Sequence, residues 1–364
     1  MNTLLGLLII AVGSFCQSSS YVPIKKVKEW SWESFWLVQG IFAWLVFPLL
    51  GALLAVPAGS SLGEVLSTDP SAAFKAAGYG VLWGVGGLTF GLSMRYLGVA
   101  LGQSIALGTC AGFGTLFPAI FAGENLFAGK GLVLLLGVSI TLAGIAVIGY
   151  AGSLRSHLLS DEERRAAVKD FALTKGLAGS LRAQNMTDEE KRAAVKDFAL
   201  TKGLAVALLA GVMSACFNLG LEAGRPLQVE GGSALFRTLP ATLMVTLGGF
   251  VTNAAYCLWQ NARNRTFGDY GKGTLYANNL LFCALAGALW YSQFFGFGIG
   301  QTFFEPGSVV AAFAWCILMA LNVTFSNVWG IILREWRGAS RKTVGVLVCG
   351  LAILIFSLVF PNLF

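Results

Sequence analysis

Long apolar stretches separated by short polar or basic links set the rhythm of this chain. Ten of them are long enough to cross a bilayer, at roughly 2–23, 34–56, 72–94, 99–121, 131–151, 203–224, 234–259, 276–300, 307–333 and 343–361. A helix needs about 20 apolar residues to cross ~30 Å of hydrocarbon, and lipid satisfies no backbone hydrogen bond. The pattern therefore predicts an all-α membrane protein of ten transmembrane helices. No basic segment precedes the first stretch, and no small-x-small site stands before Lys25-Lys26. It is predicted to be a membrane helix and not a cleaved signal peptide. Trp30, Trp32 and Trp36 follow that basic cluster and are predicted to lie at headgroup level.

Repeats occur at two scales. Residues 151–177 and 178–204 are a tandem duplication, identical at 21 of 27 positions. Each unit predicts a short surface helix, with Ser160 or Thr187 as N-cap and Glu163 or Glu190 closing a capping box. The second repeat is fainter. Gly80-Val81-Leu82-Trp83 precedes Gly91, and Gly287-Ala288-Leu289-Trp290 precedes Gly298 at the same spacing. The two copies fall in the third and eighth stretches. An odd offset of five reverses direction across the membrane, so the chain predicts two inverted five-helix repeats, 1–151 and 203–364, joined by the 152–202 loop. Inverted repeats build many secondary transporters, with substrate bound near the midplane between them.

Charge sharpens the picture. Only 12% of residues are charged, against roughly 25% in a soluble domain. Residues 152–202 hold 10 of the 25 Lys+Arg and 8 of the 18 Asp+Glu, so the remainder cannot cover a water-facing surface. The lipid bilayer is the partner this implies; a nucleic-acid partner is not expected. Links after odd-numbered stretches carry 21 of the 25 basic residues. By the positive-inside rule those links face the cytoplasm and both termini face the periplasm. The seven cysteines are scattered singly, and the one histidine, His157, lies in the charged loop. No metal ligand set, no cofactor and no catalytic residue is predicted. A membrane-embedded enzyme would need a nucleophile with a base, or a metal cluster, and the spans offer neither.

Polar side chains inside membrane spans are costly and point to function. They are neutral here: Gln17 to Ser20, Gln39, Gln103, Asn218, Asn253, Gln293 and Asn322 among them. Such groups suit a neutral polyhydroxylated ligand better than an ion, although single amides also serve as interhelical glue. Trp290, Tyr291, Phe294 and Phe295 cluster around Gln293, and residues 290, 294 and 297 (Phe297) share a helix face. Their rings either face lipid or pack on the C–H face of a sugar. The predicted substrate contacts are Trp83, Gln103, Asn218, Trp290, Tyr291, Gln293 and Phe294. Glu222 is the candidate for proton coupling; a structural ion pair with Arg225 or Arg237 is the alternative.

Five segments carry a family resemblance: Tyr21 to Glu33 (YVPIKKVKEWSWE), Leu92 to Gly98 (LSMRYLG), Phe171 to Leu177 (FALTKGL, with its copy at 198–204), Trp290 to Phe295 (WYSQFF) and Leu333 to Trp336 (LREW). In this order they resemble the bacterial L-rhamnose–proton symporters, which are placed with the drug/metabolite transporter superfamily. The resemblance implies ten helices in two inverted halves and a bacterial cytoplasmic (inner) membrane location. It also implies uptake of L-rhamnose, or a closely related neutral sugar, with a proton; Na⁺ is the alternative coupling ion. An exporter or exchanger of another small metabolite on the same fold remains open. The second loop unit is extra relative to the family pattern. The resemblance carries no sugar-binding residue across, so the site residues rest on the reasoning above.

Overall fold

The computed structural model describes residues 2–97, 99–158, 200–227, 233–271, 273–334 and 336–363. Among them run ten long helices: α1, Thr3–Ile24, interrupted at Ser20; α2, Trp32–Leu53; α3, Pro70–Leu97; α4, Val99–Phe121; α5, Gly129–Leu158; α6, Leu200–Ala223; α7, Leu239–Asn264; α8, Gly273–Gln301; α9, Val309–Ile332; and α10, Arg341–Val359. Nine of these are long and apolar enough to cross a membrane. The other, α3, has 28 residues and packs among them. The predicted loop helices at Ser160 and Thr187 lie outside the described residues.

Helix α5 runs about two turns past the predicted 131–151, to Leu158, and α7 and α2 also depart from the predicted stretches. Helix α7 begins and ends about one turn later than 234–259, at Leu239–Asn264. Pro240 sits in its first turn, where a missing N–H costs nothing. At its far end Asn261 and Asn264 stay helical because their amides find partners on α2. Helix α2 contains a π-helical segment, Ile41–Val46. Pro48 explains it: a proline in a helix has no N–H and crowds the carbonyl four residues back, here that of Trp44. The widened turn relieves this, and Phe47 N–H donates to Phe42 O, five residues back.

The links segregate to two ends. Lys130 Nζ donates to Gly307 O at 3.0 Å, joining the start of α5 to the α8–α9 link. At the other, basic end, Lys28 N–H donates to Asn279 Oδ1 at 3.0 Å and Arg155 lies 5.4 Å over the Trp336 ring. The three tryptophans expected at headgroup level all lie at this end, Trp32 buried and Trp30 and Trp36 half-buried. Trp36 Nε1 donates to Asn253 Oδ1 at 3.0 Å. Tyr256 of α7 packs on Trp32, and Tyr270 of the turn Phe267–Gly271 packs edge-on against Trp30.

Helix pairing is consistent with two inverted halves. Helix α3 packs along α6 and α7, and α8 packs along α1 and α2. Adding five to each number, counted round ten, turns one set into the other. The first glycine of each repeat copy stands at a close helix approach. A β-carbon on Gly80 would strike Val245 O of α7, and one on Gly287 would lie 2.7 Å from Phe42 Cβ and 2.9 Å from Ala43 N of α2. Helix α9 is the most enclosed, with every residue from Phe313 to Leu321 buried.

Candidate functional site

The two tryptophans of the G-x-L-W repeat meet. Trp83 on α3 and Trp290 on α8 lie with ring centroids 5.8 Å apart and planes inclined at 36°. Trp44, from the π-helical segment of α2, stands edge-on to both at 5.9 and 5.8 Å. Phe217 of α6 packs edge-on to Trp83 at 5.0 Å and stacks on Phe294 at 3.9 Å. Phe294 in turn contacts Trp290, and Trp315 of α9 stacks behind Phe217. The rings of the eighth span therefore face inward, and five helices contribute to one aromatic column. Edge-to-face pairs of this kind hold geometry as well as area.

One flank of the column is polar. Gln293 is buried, and its Oε1 accepts from Asn322 Nδ2 at 2.9 Å across to α9. Gln293 Nε2 donates to Trp290 O at 3.2 Å. Ser18 Oγ of α1 donates to Asn322 O and lies 3.4 Å from Ser326 Oγ. Asn322 Oδ1 is buried with no hydrogen-bond partner. Asn218 is next to Phe217, but its Nδ2 is taken by Gly114 O at 2.8 Å, which ties α6 to α4. Tyr291 turns to α2, where its buried hydroxyl lies over Gly51 and has no partner.

Two predicted residues stand apart. Gln103 is half-buried and makes no hydrogen bond among the described residues. It lies eleven residues before Gly114 on α4, about 16 Å along the helix. Glu222 sits one turn beyond Asn218, toward the end opposite the basic one, in an ion pair with Arg225 at 2.7 Å. It lines a cleft of about 320 Å³ with Tyr79, Pro118, Phe121 and Leu219.

Sequence reasoning missed several participants. Trp44 is one, and the signal for it was available: Trp36, Gly40 and Trp44 recur every four residues ahead of Pro48. A second omission is a buried polar network at the basic end. Glu33, 1% exposed, accepts from Asn264 Nδ2 and Thr266 Oγ1, each at 2.9 Å. Asp269 Oδ2 accepts from Ser31 N–H at 2.7 Å and Ser34 Oγ at 2.9 Å. Burial raises the Tyr270 phenol above its ordinary value there. This network joins α2 to the α7–α8 turn. Its members lie seven to ten residues before the π-helical segment, or at or beyond the end of α7, so no hydrophobic pattern connects them.

Among the described residues no group of three or more His, Cys, Asp or Glu side chains lies close enough to hold a metal ion. The column is uncharged, apolar on its faces and amide-lined on one side. That lining suits a ligand with C–H faces and several hydroxyls.

Comparison with known proteins agrees with this chemistry. A family model described as L-rhamnose-proton symport protein (RhaT) matches residues 1–187 and 171–362. The two matched segments overlap in the duplicated loop. Curated L-rhamnose-proton symporters from Yersinia pestis (strain Pestoides F) and Yersinia pseudotuberculosis serotype O:1b (strain IP 31758) are each 29% identical over 371 residues, covering 97% of this chain and 96% of the relative. No solved structure matches the chain.

Proposed function

The chain belongs to the L-rhamnose-proton symport protein family, and from that premise we propose that it imports L-rhamnose together with a proton by alternating access. It is a multi-pass membrane transporter and not an enzyme. The observation that carries the site is the meeting of Trp83 and Trp290 with Trp44, flanked by Gln293 and Asn322. The ring faces take the sugar's C–H surface, and the amides take hydroxyls. Trp83, Trp290, Phe294 and Gln293 form the inner contacts; Tyr291 and Asn218 border them, and Gln103 lies on the path toward the basic end.

Glu222 is the carboxyl we assign to proton coupling. It lines the cleft with Tyr79 and Leu219, one turn beyond Asn218. The excess of basic residues in links after odd-numbered helices supports a cytoplasmic basic end, with both termini in the periplasm. The setting is the inner membrane of a bacterium. The two five-helix halves rock about the column, and only the empty or fully loaded carrier reorients.

Uptake of labelled L-rhamnose into vesicles containing the purified chain tests this reading. An inward proton gradient should drive accumulation, and a protonophore should abolish it. Accumulation that follows a Na⁺ gradient instead, or no uptake under either, would overturn proton symport. Glu222→Gln should leave exchange of internal for external sugar intact while removing gradient-driven accumulation.

A further inference from the structure

We propose that α2 contributes two direct sugar contacts, Trp44 and Gln39, and that its π-helical segment is what aims them. The inference rests on the transport reading above and names residues that neither the family match nor the sequence pattern assigns.

Both residues carry a polar atom with nothing to bond. Trp44 is 3% exposed and Gln39 is 2% exposed, yet Trp44 Nε1 and Gln39 Oε1 are buried without a partner. A buried donor or acceptor left unpaired retains the whole cost of its desolvation. Natural folds leave few such groups, and each calls for an explanation. Here one is a donor and the other an acceptor, and they lie about one turn apart on the same helix. A hydroxyl is the group that accepts from the first and donates to the second, and adjacent hydroxyls of a sugar do both.

Their position ties them to the column. The Trp44 ring is its third wall, 5.9 Å from Trp83 and 5.8 Å from Trp290. The ring folds back over Gly40, where a β-carbon would lie 2.6 Å from it. The indole thus stands level with the turn that carries Gln39. On the α8 side, Gly287 lets that same turn approach, since a β-carbon there would lie 3.2 Å from Gln39 O. Residue 287 is one turn before Trp290 on α8. The unpaired pair is therefore inside the protein beside the aromatic walls, not at the lipid face. A regular α-helix would rotate Trp44 relative to Gln39. Residues 41–46 are π-helical, and turns of this kind are found frequently at functional sites.

The test uses the full-length purified chain and calorimetric titration with L-rhamnose and with analogues in which one hydroxyl at a time is replaced by hydrogen. Trp44→Phe keeps a ring and removes the N–H; Gln39→Leu keeps volume and removes the amide. Each should weaken L-rhamnose binding by about 3- to 10-fold, the worth of one neutral hydrogen bond. Each should also lose discrimination against one particular analogue that the wild-type chain rejects. A residue that only supports the fold would shift affinity for every analogue alike. Wild-type affinity in both variants, or undiminished discrimination among the analogues, overturns the proposal. Should Trp44→Phe fail to give a monodisperse protein, Gln39→Leu decides alone. A wild-type chain that does not bind L-rhamnose at all overturns the transport reading itself, and this inference with it.

Discussion

Gln293→Ala separates a ligand-binding amide from a structural one. In the structure the side chain makes one interhelical bond, Asn322 Nδ2 to Gln293 Oε1 at 2.9 Å, and one bond within α8, Nε2 to Trp290 O at 3.2 Å. The Trp290 carbonyl belongs to a helix, so only the interhelical bond ties two elements together. Such bonds average about 0.6 kcal/mol in membrane proteins and reach about 1.7 kcal/mol. Truncation also strands Asn322, whose Oδ1 already lacks a partner. A stability loss of about 1–2 kcal/mol follows from structure alone. If the amide also bonds a sugar hydroxyl, Kd should rise about 10-fold, equivalent to ~1.4 kcal/mol. Titration calorimetry gives the second quantity, and thermal unfolding in the same detergent gives the first. Asn322→Ala should act likewise. The double variant should lose less than the sum, because the two residues share one bond. Reduced thermal stability with unchanged Kd would make Gln293 interhelical glue and refute its place in the site.

Three other perturbations probe other parts of the argument. Gly287→Leu forces a side chain into the α2 backbone at Phe42 and Ala43, so thermal stability should fall by about 1–3 kcal/mol or more, as overpacking does. Glu33→Ala strands Asn264 Nδ2, while Thr266 Oγ1 keeps its bond to Asn261 Oδ1; unfolding should show a loss of about 1–3 kcal/mol, and Glu33→Gln, which keeps an acceptor, should recover most of it. Deleting residues 178–204 leaves the chain with one loop unit running directly into α6, because the two copies end in the same residues; uptake and expression should match the full chain, and lost uptake would give the duplicate a role.

How far the sequence disclosed this molecule depends on how local each signal is. The helices were legible because lipid leaves no other way to pair backbone groups, so an apolar stretch of sufficient length has one outcome. Trp83 and Trp290 were legible because the G-x-L-W pattern marks both a close approach and a ring one turn on. The π-helical turn of α2 was less so: Pro48 indicates a disturbance but not whether the helix kinks or widens. The fate of Trp30, Trp32 and Trp36 was not legible. A tryptophan near a basic link fits a headgroup position equally well, and their partners Asn253, Tyr256 and Tyr270 are more than two hundred positions away. Glu33 and Asp269 escaped for a related reason. They are paired with residues more than two hundred positions away, and nothing in their own surroundings announces the partner.

The column takes one ring from each copy of the G-x-L-W repeat, Trp83 and Trp290, but its hydrogen bonds lie on one side. Three residues beyond Trp290 stands Gln293, which reaches α9. Three residues beyond Trp83 stands Gly86, where a β-carbon would lie 2.6 Å from Ser214 N of α6. The equivalent position in the first half thus has room for a hydrogen and nothing more. A sugar has no twofold axis, so its hydroxyls cannot be matched by two identical halves. On our proposal they are met from α8, α9 and α2, which Gly287 locks against α8. Helix α3 brings only a ring face. Dispersion contacts with that face are individually weak and have no preferred direction, so α3 can shift past a bound sugar while the directional bonds remain with α8 and its neighbours. Trp83→Phe should therefore change Kd by less than about 3-fold, under 1 kcal/mol, while altering the transport rate. A 10-fold loss of affinity in Trp83→Phe, matching that of Gln293→Ala, would mean that both halves grip the sugar directionally, and this division of roles would fail.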